Sequence, residues 1–178
     1  MSNLSSAYAD ALFEIATEEN KLDEILSQSV SIVEILNENH DFLKLLNTPT
    51  VTKEEKADFV DKIFKDKIDI SLLNYIKVMI QRKDTQRLID SFKAFEKMYN
   101  KHNNIEKAVA TTAIPMSDEL KNKLVEKLEK ITGKKIILTN KVDESCIGGV
   151  ILEFSDTQYN DSISQKLDTL KKQLKHIN

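Results

Sequence analysis

Residues 4–16 read LSSAYADALFEIA, and this stretch decides the fold of the first half of the chain. Its apolar side chains recur every three or four residues, which is the period of one face of an α-helix. That face consists of Leu4, Ala7, Tyr8, Ala11, Leu12, Ile15 and Ala16. Ala9 and Phe13 lie off the face, so this helix carries more apolar surface than a single contact with a core requires.

The same periodicity predicts five more helices in the first part of the chain. The first 114 residues contain one proline and no glycine, which favours helices joined by short polar loops. Thr52 and Glu55 have the spacing of a capping box, and Ser71 is the expected cap of the fifth helix. The five helices are expected near residues 22–36, 42–46, 52–64 and 71–81, and from Asp84 or Thr85 to about residue 102. Residues 1–104 are therefore predicted to form a six-helix bundle.

Residues 105–178 have a different character, because they contain all three glycines and three stretches typical of β-strands. Gly133 is expected to end a helix in a left-handed conformation. The predicted elements are a strand at 105–113, a helix at 117–132, strands at 135–140 and 147–154, and a helix at 162–177. The predicted class is α+β, mainly α: a six-helix bundle followed by a small β-α-β-β-α domain.

Composition excludes several classes of protein. The 178 residues carry a formal net charge of −3, which disfavours a domain built to bind a phosphate backbone. No apolar run approaches the roughly 20 residues that cross a bilayer, and the N-terminus lacks the pattern of a secretory signal. A single cysteine, Cys146, excludes an internal disulfide and favours a reducing compartment.

No pattern of catalytic, metal-binding or cofactor-binding residues is present in the sequence. His40, His102 and His176 have no second ligand at metal-binding spacing. The Gly133-Lys134-Lys135 run lacks the upstream glycine of a phosphate-binding loop. Four lysines of the last predicted helix could face a nucleic acid, although a solvated face is the simpler interpretation. They are Lys166, Lys171, Lys172 and Lys175.

Several motifs nevertheless resemble one family in the order in which they occur. Residues 8–16 match Tyr-Ala-x-Ala-Leu-Phe-x-x-Ala, and residues 46–49 match Leu-x-x-Pro. Residues 113–117 resemble Ala-x-Pro-Leu-Ser. The most specific match is to Val-Asp-x-x-Leu-Ile-Gly-Gly, carried by Val142, Asp143, Ile147, Gly148 and Gly149. The chain thus resembles the delta subunit of F-type ATP synthases, called the oligomycin-sensitivity-conferring protein in mitochondria. Departures from the family pattern occur at Cys146, where leucine is usual, and at Ser155 and Asn160.

The resemblance implies a non-catalytic stator subunit, one copy per complex, that resists rotor torque during proton- or sodium-driven ATP synthesis. Residues 1–104 would bind the N-terminal helix of an alpha subunit, and residues 105–178 the C-terminal ends of the b subunits. It would sit peripherally on the cytoplasmic face of the bacterial membrane, without inserting into it or binding nucleic acid. The alpha-binding groove is expected between the first and fifth helices, lined by Ala7, Tyr8, Ala11, Leu12, Ile15, Leu73, Ile76, Lys77 and Ile80.

Three other interpretations of the sequence remain open at this point. The chain could be a free-standing helical adaptor, which co-purification with alpha and beta subunits would exclude. It could be an RNA-binding regulator, whose affinity would depend steeply on salt. A hydrolase has the least support, because no nucleophile and base are visible together.

Overall fold

The computed structural model describes residues 3–146, 148–154 and 157–160. The chain divides into two compact units, Met1–Asn100 and Lys101–Asn178. The first contains helices α1 (Asn3–Glu18), α2 (Leu22–Glu38), α3 (His40–Asn47), α4 (Lys53–Phe64), α5 (Ile70–Gln81) and most of α6 (Leu88–His102). The second contains strands β1 (Ile105–Thr112), β2 (Lys135–Val142), β3 (Val150–Phe154) and β4 (Thr157–Asn160), and helix α7 (Asp118–Thr132). The predicted class, α+β and mainly α, is confirmed.

Each helix of the first unit buries one stripe in a shared core. Leu12, Ile32, Leu46, Ile76 and Phe95 are each at most 1% exposed and come from five different helices. Full burial of such a side chain contributes about 1.5–3 kcal/mol relative to exposure. The amphipathic periodicity of the sequence therefore corresponds to a real common core.

Helix starts confirm one predicted cap and correct another. The capping box is present: the Glu55 amide donates to Thr52 Oγ1 at 3.2 Å, and the Thr52 amide donates to Glu55 Oε2 at 2.9 Å. Ser71 was expected to cap α5, which is wrong, because Asp69 accepts from the Ser71 amide at 2.8 Å and α5 begins at Ile70. The Asp69 carboxylate is the stronger acceptor for the positive end of a helix. A short 3₁₀ turn, Thr85–Arg87, precedes α6.

The second unit contains a mixed sheet with strand order β2-β1-β3-β4. Strands β1 and β2 are parallel, and α7 connects them, whereas β3 is antiparallel to β1. Ala108 is paired with Leu138 on one side and Phe154 on the other, and Leu128 of α7 packs on this face. The alternation predicted for the first strand is confirmed, since Ala108, Ala110 and Thr112 are buried.

The described part of the second unit differs from the predicted β-α-β-β-α order at β4 and at the start of β3. The described residues contain a fourth strand, β4, which the prediction omitted; it pairs with β3 over Ile151–Phe154. At four residues it is too short to produce a convincing alternation in the sequence. Strand β3 begins at Val150 rather than at 147, because the 3₁₀ turn Glu144–Cys146 and a Gly149 φ of 82° come first. The helix predicted at 162–177 lies outside the described residues.

One backbone conformation, at Gly133, and one side chain, that of Asn140, stabilise the second unit locally. Gly133 ends α7 with a φ of 68°, as predicted, and its amide donates to the Glu129 carbonyl at 2.8 Å. Asn140 of β2 donates from Nδ2 to the Ala110 carbonyl at 2.9 Å and accepts at Oδ1 from the Met116 amide at 2.8 Å. The segment after β1 is thereby tied to the sheet.

Candidate functional site

Helices α1 and α5 lie side by side and run in opposite directions. The Tyr8 ring meets the Tyr75 ring edge-on, with centroids 6.3 Å apart. The Tyr8 hydroxyl donates to Asp84, just beyond the end of α5, at 2.8 Å. At the other end, the Ser71 hydroxyl of the first turn of α5 donates to Glu19 at 2.8 Å. The start of α1 is therefore beside the end of α5.

Tyr8 is held on both its ring and its hydroxyl. Burial and the hydrogen bond to the Asp84 carboxylate raise the pKa of Tyr8, and the neighbouring Arg82 guanidinium opposes that rise. Asp84 also lies 3.4 Å from Arg87 Nε. With only 8% of its surface exposed, Tyr8 forms a fixed floor between the two helices rather than a mobile surface group.

An exposed apolar strip runs along this pair of helices, here called the α1–α5 strip and defined as Leu4, Ala7, Ala11, Ile15 and Val78. Leu4, Ile15 and Val78 are 42%, 40% and 43% exposed, and both alanines are exposed.

The members of the strip share the helix faces that bring α1 and α5 together. Val78 follows Tyr75 by three residues and Ser71 by seven, so it shares the face of α5 that contacts α1. On α1, Leu4, Ala11 and Ile15 stand three, four or seven residues from Tyr8 and share its face.

The structure divides the nine predicted groove residues into three groups. Five are buried at 8% exposure or less and form the floor or the core: Tyr8, Leu12, Leu73, Ile76 and Ile80. Ala7, Ala11 and Ile15 are exposed in the α1–α5 strip. Lys77 makes an ion pair with Asp61 of α4 at 2.7 Å, so it belongs to the α4 side of α5.

Two strip residues, Leu4 and Val78, are absent from the predicted groove although both carry the apolar pattern. Sequence periodicity identifies the apolar positions of a helix. It does not show which of those positions the neighbouring helices cover and which remain exposed to solvent. Asp84 was a candidate helix start, and only the fold shows that it accepts from Tyr8, 76 positions earlier. No local spacing could have indicated that pair.

Carboxylates are concentrated at the end of the strip that lies near the C-terminus of α1. Near the end of α1, Asp69 accepts from Lys21 Nζ at 2.7 Å, and Glu19 lies 3.3 Å from the same ammonium. The hydrogen bond from Lys21, and that from the Ser71 amide, hold the pKa of Asp69 below its usual range against the effect of desolvation. Glu14 and Glu18 are exposed on the same stretch of α1.

The family signature of the second unit forms a turn. The Asp143 side chain accepts from the Ser145 amide at 2.9 Å, and the Ser145 hydrogen bonds lower the pKa of Asp143. The Asp143 amide donates to the Thr112 carbonyl at 2.9 Å, and the Gly148 amide to the Cys146 carbonyl at 2.6 Å. Val142 is 52% exposed. Gly149 takes a positive φ, and Ile147 lies outside the described residues.

The structure bears on metal binding over residues 3–146, 148–154 and 157–160. These residues hold no group of three or more His, Cys, Asp or Glu side chains placed to bind a metal ion. Cys146 is buried, and His40 and His102 are exposed. No helix in this part of the chain is long and apolar enough to cross a membrane. The four lysines considered for nucleic acid lie outside it.

Comparison with known proteins gives consistent matches over nearly the whole chain. The family described as ATP synthase delta (OSCP) subunit matches residues 4–174. The ATP synthase subunit delta of Clostridium botulinum (strain Loch Maree / Type A3) is 36% identical over 171 residues, covering 96% of each chain. That of Brevibacillus brevis is 33% identical over 168 residues, covering 94% of this chain and 96% of the relative.

Among solved structures, a chain of the Toxoplasma gondii mitochondrial ATP synthase hexamer shares the fold. Its TM-score is 0.75 with 24% identity, and the match covers 97% of this chain and 98% of that one. Together with the extent of the family match, the bundle, the mixed sheet and the signature turn lead to one conclusion: the chain belongs to the delta (OSCP) subunit family of ATP synthases, a component of the peripheral stalk.

Proposed function

We propose that this chain is a non-catalytic stator subunit that links the catalytic head to the membrane sector and resists rotor torque. Its first unit binds the N-terminal helix of one alpha subunit, and residues 105–178 bind the C-terminal ends of the b subunits. One copy serves each complex, peripherally, on the cytoplasmic face of the bacterial membrane. The α1–α5 strip is the observation that carries this proposal.

The strip has the form required by a helix-in-groove contact. An amphipathic helix places residues spaced by three, four and seven positions into an apolar groove, and Leu4, Ala11 and Ile15 present the matching spacing on α1. The two alanines let a partner backbone approach closely. A contact of standard size, about 1,200–2,000 Å² in total, would span the length of such a strip.

A rigid floor suits a contact that bears load. Tyr8 is fixed by Tyr75 and Asp84 before any partner arrives, so little side-chain freedom is lost on binding. Affinity differences between related complexes reside mostly in the dissociation rate. A pre-ordered floor therefore favours the slow release that a stator requires.

The second unit also carries apolar surface that its described part does not cover. Six large side chains there are between 44% and 77% exposed: Ile114, Leu120, Ile131, Ile137, Val142 and Tyr159. Exposed apolar surface of this kind supports a protein partner. We assign that partner as the end of the b-subunit stalk.

Titration of an alpha-subunit N-terminal peptide into the full chain tests the first contact. Val78→Asp and Ala11→Asp each place a charge in the strip, and each should weaken binding at least tenfold because the carboxylate must be desolvated. Val30→Asp is the matched control: Val30 is 38% exposed on α2, and its replacement should leave affinity unchanged. Equal affinity for wild type, Ala11→Asp and Val78→Asp would contradict the proposed groove.

Tyr8→Ala is expected to act differently from the strip variants. It removes a buried ring and leaves Asp84 without the phenol that donates to it. We therefore expect both a lower affinity for the peptide and a lower free energy of unfolding of the bundle. A thermal melt beside the titration separates these effects. A Tyr8→Ala protein with unchanged stability and affinity would show that Tyr8 is not the floor of the site.

A further inference from the structure

The two ends of the α1–α5 strip carry opposite net charges. At the α1 C-terminal end stand four carboxylates, Glu14, Glu18, Glu19 and Asp69, and one ammonium, Lys21, a net charge of −3. At the opposite end, Arg82, Lys83 and Arg87 stand with one carboxylate, Asp84, a net charge of +2. The apolar strip lies between these two clusters.

The backbone dipoles of α1 and α5 do not set this polarity. The two helices are antiparallel, so the negative end of one lies beside the positive end of the other and their macrodipoles largely cancel. The side-chain charges remain. Glu14 and Glu18 make no ion pair within the described residues, and Arg82 and Lys83 are exposed at the other end.

We infer that the bound partner helix lies antiparallel to α1, with its N-terminus beside Glu14 and Glu18 and its C-terminus beside Arg82 and Lys83. A helix carries partial positive charge at its N-terminus and partial negative charge at its C-terminus, so this direction makes both ends favourable and the reverse makes both unfavourable. Basic residues in the first turns of the partner, or acidic ones in its last turn, strengthen the preference. The inference rests on the proposed function, since it concerns the same helix in the same site.

Paramagnetic labelling of the peptide tests the direction in the full chain. A nitroxide on the N-terminus of the alpha peptide should broaden the amide signals of Ile15 and Glu18, and one on the C-terminus should broaden those of Leu4 and Ala7. The reverse pattern, or equal broadening at both ends, overturns the direction while leaving the partner in place. Absence of binding overturns the proposed function itself, and the direction with it.

Charge removal supplies a second readout that does not depend on labels. The double variant Glu14→Gln/Glu18→Gln should bind the peptide about fivefold more weakly than the wild type at low salt. This difference in affinity should become smaller at high salt, because the charges are screened. Glu38→Gln, an exposed carboxylate at the end of α2, is the control and should have no effect. Equal affinity for the double variant and the control protein would overturn the electrostatic basis of the direction.

Discussion

Tyr75 is a buried side chain whose ring is well packed but whose hydroxyl is not hydrogen-bonded within the described part of the chain. Its ring lies between Tyr8 and Phe92, with centroids 6.3 Å and 5.7 Å away. Its buried hydroxyl oxygen has no hydrogen-bond partner in the described part of the chain. The nearby Ser91 hydroxyl donates instead to the Leu88 carbonyl at 2.7 Å. A buried polar group without a partner costs about 1–3 kcal/mol.

Removing that hydroxyl should therefore stabilise the protein. We expect Tyr75→Phe to raise the free energy of unfolding by about 1 kcal/mol, because the ring packing is kept and the unpaired group is lost. Denaturant titration at pH 7 measures the change. A Tyr75→Phe protein that is less stable than wild type would mean that the hydroxyl has a partner in solution.

The same residue predicts a dependence on alkaline pH. Burial raises the pKa of Tyr75 to about 12, above its ordinary value of 10.0. The folded state thus prefers the neutral phenol. Ionisation of this group leaves the free energy of unfolding unchanged below pH 10 and lowers it as the pH rises from 10 toward 12. The loss is about 2–3 kcal/mol. The free energy of unfolding of Tyr75→Phe should fall less steeply than that of the wild type between pH 10 and 12. Parallel curves for the two proteins would show that the Tyr75 phenol is not the source of the pH dependence.

Asp69 predicts the opposite dependence, in acid. Its pKa lies below the ordinary value of 3.8, chiefly because of the Lys21 hydrogen bond, so its contribution is present above that value and declines as the pH falls below about 4. Asp69→Asn retains a capping side chain but loses the charge. The variant should be less stable than wild type at pH 7, and the gap should narrow in acid. A gap that stays constant with pH would exclude the ion pair as its source.

At the scale of the element, the sequence predicts what a helix buries better than what its neighbours leave uncovered. All six helices of the first unit were expected, because each must hide one apolar stripe. The flanks depend on neighbours that local spacing does not reveal: Lys77 faces Asp61 of α4, whereas Val78 stays open beside α1. Similarly, Asp69 rather than Ser71 caps α5, and its second carboxylate oxygen accepts from Lys21, a distant residue that local spacing does not reveal.

The end of α7 offers a test of backbone conformation alone. A Cβ added at Gly133 would meet nothing within 4 Å, yet its φ of 68° disfavours any other residue. Gly133→Ala should therefore destabilise the second unit by about 1 kcal/mol through backbone strain, with no steric clash. Gly133→Asn, which tolerates the left-handed region, should cost less. Equal losses for the two variants would point away from backbone strain.

At the scale of the whole molecule, the two compact units predict separable behaviour. Each has its own core, one centred on residues such as Leu12 and Phe95 and the other on Ala108, Leu128 and Ile136. We expect residues 1–104 alone to fold and to bind the alpha peptide with the affinity of the full chain. Circular dichroism and calorimetry check both points. A fragment that folds but binds at least tenfold more weakly would place part of the site in residues 105–178.

The long-range hydrogen bonds of the first unit have a consequence during synthesis on the ribosome. Tyr8 reaches Asp84, and Tyr99 donates to Asp23, each across 76 positions of the chain. At about 5–20 residues added per second, the partner of Tyr8 is made some 4–15 seconds later. For that interval the newly made α1 displays its core face as well as its outer strip. The bundle thus closes late, because the residue that holds the Tyr8 hydroxyl is made only after α5.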